Sequence, residues 1–154
     1  MSDLTFMPID KDNWLMAYKL KVKPDQANFV SENGKSMLQA LYDTEHDMQP
    51  YGIYDGETMI GFMLTTHSPD DPNAIWIMRF MMGAEHQRKG YGKRALMQFL
   101  AKIENEGNYA QVKLSYVPEN TGAAALYAQA GFVEEGLNED WGEMVAAYAV
   151  ARDA

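Results

Sequence analysis

The sequence predicts an α/β (α+β) fold, a mixed sheet flanked by helices. Three observations predict it. Ile75 to Met82 is an almost unbroken apolar run, as a strand buried on both faces would be. Leu96, Phe99, Leu100 and Ile103 follow with helical spacing. Downstream, the alternating Val112, Leu114 and Tyr116 read as a strand, Thr121 to Ala130 as a helix and Glu143 to Tyr148 as a last strand. At 154 residues the chain is expected to form one domain over 1–154. That length buries about two-thirds of the unfolded surface.

Leu4 to Pro8 is a short first strand. Asn13 to Leu20 reads as a helix capped by Asp12 or Asn13. Pro24 suits the first turn of a second helix carrying Phe29 and Val30. Met37, Leu38, Leu41 and Tyr42 have helical spacing for a third, and these helices together could wall a substrate site. Tyr51 to Tyr54 and Met59 to Thr65 form a hairpin through Asp55-Gly56. The prolines and aspartates of residues 67–72 make a loop. Alternation along Ile75 to Met82 puts Trp76, Met78, Phe80 and Met82 on one face, with Ile77, Arg79 and Met81 on the other. The helix from Gly90 ends near Gly107, and Pro118 stops the strand at Tyr116. The stripe Ala123, Leu126, Tyr127 and Ala130 faces the core.

Composition narrows the function. The net charge of −9 disfavours nucleic acid and suits attraction of a polycation, although acidic residues also simply confer solubility. Twelve methionines read as core filling. No apolar stretch reaches the ~18 residues that cross a bilayer, so no membrane partner is expected. Residues 1–15 lack a secretory pattern and cysteine is absent, which favours the cytoplasm and removes disulfides, thiolate metal sites and a cysteine acyl-enzyme. His46, His67 and His86 lack metal-ligand spacing, so no metal is expected. There is no Gly-x-Ser-x-Gly elbow for hydrolase chemistry.

The most informative segment is Gln87-Arg88-Lys89-Gly90-Tyr91-Gly92, between a strand and a helix. Glycines let backbone N–H groups close on phosphate oxygens, and the helix dipole adds roughly half a positive charge. The ligand implied carries a phosphate or pyrophosphate. Walker A spacing is missing. Gly90-x-Gly92-x-x-Ala95 fits the dinucleotide fingerprint, but the region about 20 residues on, Leu114-Ser115-Tyr116, lacks the acid that this reading wants. A tight turn lined with solvated cations is the plainest alternative. The third motif, Gln/Arg-x-x-Gly-x-Gly/Ala, is matched by Gln87, Gly90 and Gly92.

Here the chain resembles the GNAT superfamily of acyl-CoA-dependent N-acyltransferases. Ser115 to Asn120, Leu126-Tyr127 and Gly131-Phe132 are similar to that family's second block. Asn13-Trp14, Leu20-Lys21-Val22, Gln26, Phe29-Val30 and Asn33 to Ser36 look like its spermine/spermidine (diamine) branch. The likeness spans about residues 4–148. It implies a mixed, mainly antiparallel central sheet flanked by helices. It also implies an acetyl-CoA-dependent N-acetyltransferase whose acceptor is a polyamine such as spermine or spermidine. Another amine, such as an antibiotic or a protein N-terminus, or a CoA-sensing module without turnover, are the alternatives. A homodimer is compatible with it.

By resemblance, residues Gln87, Arg88, Lys89, Gly90, Tyr91, Gly92 and Lys93 hold the CoA pyrophosphate. The backbone of Phe80, Met81 and Met82 bonds the pantetheine arm, and an N–H there could polarise the thioester carbonyl. Asn120 caps its helix and meets the cofactor arm. Tyr127 occupies the general-acid position, where a phenol with pKa near 10 matches a departing thiolate; as plain packing it would be a core residue beside Leu126. Arg79, a charge on a central strand, is expected either to pair internally or to reach the site's mouth. A base is harder to assign. Some polyamine acetyltransferases carry a carboxylate at the slot held here by Met78, and a water chain could end at Glu143, Glu32 or His67, with spacing selecting none. Acidic groups within 43–47 and 134–143 could line the amine path.

Overall fold

The computed structural model describes residues 3–151 except Val30 and Ser68. Seven strands form one sheet: β1 (Thr5–Pro8), β2 (Gln49–Asp55), β3 (Thr58–Thr66), β4 (Ala74–Met82), β5 (Gln111–Tyr116), β6 (Val133–Asn138) and β7 (Glu143–Ala149). Their order is β1-β2-β3-β4-β5-β7-β6. Every pairing is antiparallel except β4 with β5. Among the described residues four α-helices flank the sheet: α1 (Trp14–Lys19), α2 (Asn33–Tyr42), α3 (Tyr91–Glu106) and α4 (Thr121–Ala130). The expected mixed, mainly antiparallel sheet is therefore present. Among the described residues no helix is long and apolar enough to cross a membrane.

Two apolar clusters cover the sheet's faces. One joins Leu96, Phe99, Leu100 and Ile103 of α3 to Tyr127 and Ala130 of α4 over β3 to β5. The other sets Ala17 of α1 against Met59, Phe62, Leu64 and Met81. Burying one such side chain contributes about 1.5–3 kcal/mol, so these clusters hold the sheet rigid beneath the site.

The β2–β3 hairpin turns at Gly56-Glu57, with Gly56 at φ +62. Gly90 and Gly107 bound α3 in the left-handed region, where a Cβ would be strained. Asn120 caps α4 by accepting from Ala123 N–H at 3.2 Å.

Several expectations need correction. Asn13 starts α1 without capping it, because its side chain accepts from Asp10 N–H and donates to Pro8 O. Asp12 is no cap either; it accepts from Lys11 Nζ. Pro24 opens only a 3₁₀ turn, Pro24–Gln26, rather than a helix carrying Phe29, and Val30 lies outside the described residues. Leu38, Leu41 and Tyr42 of α2 are exposed, Tyr42 by 77%. The sheet-facing stripe is instead Asn33, Ser36, Met37 and Ala40, because Asn33 donates to Ala17 O and Leu20 O and sets the helix's rotation. Strand β6 was not foreseen. It is an edge strand with five of its six residues exposed, so it lacks the apolar alternation that marks a half-buried strand.

The β4 alternation is also corrected. Arg79 pairs with Leu64 and Ile77 with Thr65, which leaves Met78 as the extra residue of a β-bulge. The bulge resets the phase. Ile77, Phe80 and Met82 join the α3 cluster, whereas Met78 and Met81 join the other. Met78 and Arg79 consequently lie toward the α2 side in succession, with Arg79 reaching Gln39 of α2 at 3.5 Å.

Candidate active site

Strands β4 and β5 pair in parallel only from Ala74/Gln111 to Ile77/Leu114. Beyond that point they diverge. Residues Arg79 to Met82 keep their antiparallel partners in β3 but have none on the β5 side, and the bulge residue Met78 pairs with neither strand. A cleft of about 850 Å³ opens in the wedge. Met78 to Met82 form one wall. Ser115 to Val117, Glu143 and one side of α4 form the other, and residues 26–29 and Ser31 close over the top. The parallel pair is the physical cause, since right-twisted strands separate once their ladder ends and nothing refills the gap.

One end of the cleft carries main-chain N–H groups left without partners among the described residues. The N–H groups of Tyr91, Gly92 and Lys93 precede the first hydrogen bond of α3, Arg94 N–H to Gly90 O at 3.1 Å, and donate to no other described group. Arg88 has φ +62 and Gly90 φ +79. This alternation turns successive N–H groups the same way. Gly92 lines the cleft, and a Cβ there would stand 3.7 Å from Leu126 and 3.9 Å from Met82.

The predicted site residues divide. Phe80, Met81, Met82, Gln87, Arg88, Gly92, Asn120 and Tyr127 all line the cleft. Lys89, Gly90, Tyr91 and Lys93 do not line it with side chains. Tyr91 turns away, and its hydroxyl donates to Asp55 Oδ2 at 2.6 Å. Gln87 lines the cleft, yet its amide donates to Met82 O and to Gln26 Oε1, bracing the end of β4 against the 3₁₀ turn. Gln26, Asn28 and Phe29 thereby become wall residues, linked to the loop by a contact 61 residues apart in sequence.

Tyr127 lies near the middle of the wedge. Its ring packs against Tyr116 at 5.6 Å and Phe132 at 5.8 Å. No hydrogen bond ties its hydroxyl to another described residue, and the residue lines the cleft. Burial, and then the neighbouring Tyr116, push its pKa above the ordinary phenol value. The phenol therefore stays protonated at neutral pH. The raised pKa also makes it a weaker acid than a free phenol, so a proton passes from it to a thiolate less readily than between groups of matched pKa. Tyr116 is pushed up to about 12 by burial and by its bond to Glu134.

The other end of the cleft holds charge that sequence spacing could not arrange. Arg79 donates to Met78 O at 2.9 Å, and its Nε is buried without a partner. Among the described residues it makes no ion pair. Burial lowers its pKa, and the nearby Glu143 partly restores it. Glu143 is the one carboxylate among the described residues lining the cleft, and it accepts from Ser115 Oγ at 3.3 Å. Of the other proposed ends of a water chain, Glu32 faces Lys21 at 3.9 Å, and His67 packs on Tyr109 in a separate depression. Asp43 binds His46, and Asp47 lines that same depression, so the 43–47 acids do not line the cleft. The described residues contain no group of three or more His, Cys, Asp or Glu able to hold a metal.

The arrangement offers a strand edge for an extended arm, a cradle for phosphates, a buried phenol and a polar far end. The model of the "Acetyltransferase (GNAT) family" matches residues 12–132. No curated protein sequence matches the chain. Among solved structures, the Vibrio cholerae spermidine N-acetyltransferase in complex with CoA and spermine superimposes with TM-score 0.73 at 18% identity, covering 96% of this chain and 94% of that one. The Salmonella typhimurium acetyltransferase that modifies the N-terminal serine of ribosomal protein L7/L12 gives 0.77 at 13%, covering 98% and 97%. AAC(6')-Ib in complex with ribostamycin and coenzyme A gives 0.79 at 17%, covering 96% and 94%. Identities this low establish a common fold.

Proposed function

The chain belongs to the acetyltransferase (GNAT) family, and from that premise we propose that it moves an acetyl group directly from acetyl-CoA to a primary amine, a polyamine first among acceptors. The observation that carries the transfer is the wedge: unpaired β4 edge, α3 N-terminus at one end and the unbonded Tyr127 hydroxyl inside it. Pyrophosphate oxygens accept from the Tyr91, Gly92 and Lys93 N–H groups, with Arg88, Lys89 and Lys93 adding mobile charge. The pantetheine arm lies along Phe80 to Met82 as an added strand, and Asn120 flanks it. A main-chain N–H of that strand polarises the thioester carbonyl. Tyr127 protonates the departing thiolate.

Support for a polyamine is the net charge of −9 and the diamine-branch likeness of residues 13–36. Arg79 favours a second reading. A half-buried guanidinium at the acceptor end opposes a polycation and suits an amine bearing a carboxylate or carbonyl oxygen, as at a peptide N-terminus. Action in the cytoplasm is part of the proposal. A homodimer, if formed, has the exposed Trp14, Leu38, Leu41 and Tyr42 available for contact. Free-thiol release from acetyl-CoA, measured with spermine, spermidine, an alkylamine, an aminoglycoside and a short peptide, tests the reading. Turnover with spermine or spermidine above the rest is expected. Peptide preference would select the second reading, and thiol release with none of them would remove the enzyme.

A further inference from the structure

We propose that Glu143, with Ser115 beside it, receives the acceptor amine and takes its proton. This rests on the acetyltransferase reading and adds the group that the sequence left unassigned.

The argument begins with what β4 lacks. Its bulge presents Met78 and Arg79, neither of which can accept a proton. A carboxylate for the amine must then come from the opposite wall. Residue 143 opens β7, one pair beyond Met144, which lies opposite Tyr116. The side chain is held in the cleft by Ser115 Oγ, which donates to Oε1 at 3.3 Å and leaves Oε2 for an ammonium group. Arg79 faces it from β4. The remaining titratable groups around Glu143 are committed elsewhere or neutral. Tyr116 of β5 donates to Glu134 of β6, and Tyr127 of α4 stays protonated. His86 also lines the cleft, but it sits in the turn against Gly83, on the side of the phosphate cradle.

The step balances as follows. The ammonium gives one proton to the Glu143 carboxylate, and the freed nitrogen lone pair forms the N–C bond. The C–S bond breaks, its electron pair goes to sulfur, and Tyr127 supplies the thiol proton. The nitrogen's second proton restores Tyr127, and Glu143 returns the first to solvent. Products are the amide, free CoA thiol and one proton.

Glu143→Gln preserves size and can still accept from Ser115, so it separates proton transfer from packing. At pH 7 its kcat/KM for the best amine should fall about 10²-fold or more, with acetyl-CoA affinity and melting temperature unchanged. The deficit should shrink as pH rises toward the amine pKa of about 10, where free amine no longer needs a base. Glu143→Asp, which keeps the carboxylate, should fall between the two and retain the wild-type pH profile. A deficit constant across pH, or wild-type efficiency in Glu143→Gln, would overturn the assignment while leaving the acetyltransferase reading intact. A wild-type protein inactive on every amine would overturn both.

Discussion

The two ends of the cleft are built by different means. The end proposed for phosphate comes from one continuous stretch, β4 into the loop and the first turn of α3, and the donors it offers are main-chain N–H groups. The end proposed for the acceptor is assembled from Arg79 on β4, Ser115 on β5 and Glu143 on β7. Backbone chemistry tolerates changes of side chain provided that glycine stays where it is needed, whereas a distributed side-chain site can be retuned one position at a time. The first end should therefore be common to relatives of one fold and the second should set the amine.

The strongest challenge lies between the ends. Tyr127→Phe should lower kcat by about 10²–10⁴-fold with little change in acetyl-CoA affinity, read by steady-state kinetics and calorimetry. A near-normal rate would make Tyr127 packing. Because its pKa is raised, no loss of activity below pH 9 should trace to its ionisation. Its folding contribution runs the same way: the neutral form is favoured in the folded state, so that stability is complete below the unfolded pKa and is lost only as pH climbs through the folded one.

Next comes the phosphate end. Gly92→Val places methyls between Leu126 and Met82, where the arm must pass. Each lost hydrogen bond to a charged group is worth about 1.5–3 kcal/mol, so calorimetry should record at least a tenfold weaker Kd for acetyl-CoA. Gly90 makes a poorer test, since φ +79 strains any β-branched residue and would confound binding with folding. In the wild type, acetyl-CoA at about 100 times its Kd should add roughly 2.7 kcal/mol of stability, well above any effect of NAD or ATP in thermal melts. An equal effect of NAD would return the loop to the dinucleotide reading.

At the acceptor end the expected effect is smaller. If surface acids guide a polyamine, salt should raise the KM for spermine more than that for an alkylamine, because the Debye length is only about 8 Å at physiological ionic strength. Each exposed pair is worth about 0–1 kcal/mol. The single carboxylate lining the cleft among the described residues and the half-buried Arg79 make this dependence modest, and its complete absence would shift the acceptor toward the peptide reading. Smallest is Asn120→Ala, expected to cost about 1 kcal/mol through the α4 cap, measured by denaturant unfolding.

What could be read from the chain follows the same divide. The loop, α3, α4 and its Asn120 cap were legible because their signals are local: glycine at positive φ, apolar spacing, a capping side chain. The Met78 bulge was not, since a bulge is a property of two strands in register and a single strand still reads as uniform alternation. Strand β6 was hidden by solvent, which removes the pressure for an apolar pattern. Glu143 could be named from sequence only as one of three acids or bases. It was singled out by a hydrogen bond to Ser115, 28 residues away. The rotation of α2 was misread for a related reason: a buried Asn33 amide outweighed the pull of Leu38, Leu41 and Tyr42.

Only four registered pairs, Ala74/Gln111 to Ile77/Leu114, carry the sheet across from β4 to β5. Mechanically the molecule is two leaves, β1 to β4 and β5 to β7, joined by a short seam. A pantetheine arm bonded to the open edge of β4 and flanked by α4 would serve as the missing stitches. Amide exchange in the two leaves should then differ in the free protein and become more uniform once the cofactor closes the seam. The ligand would thus be a structural component that this chain borrows at each turnover and surrenders with the product.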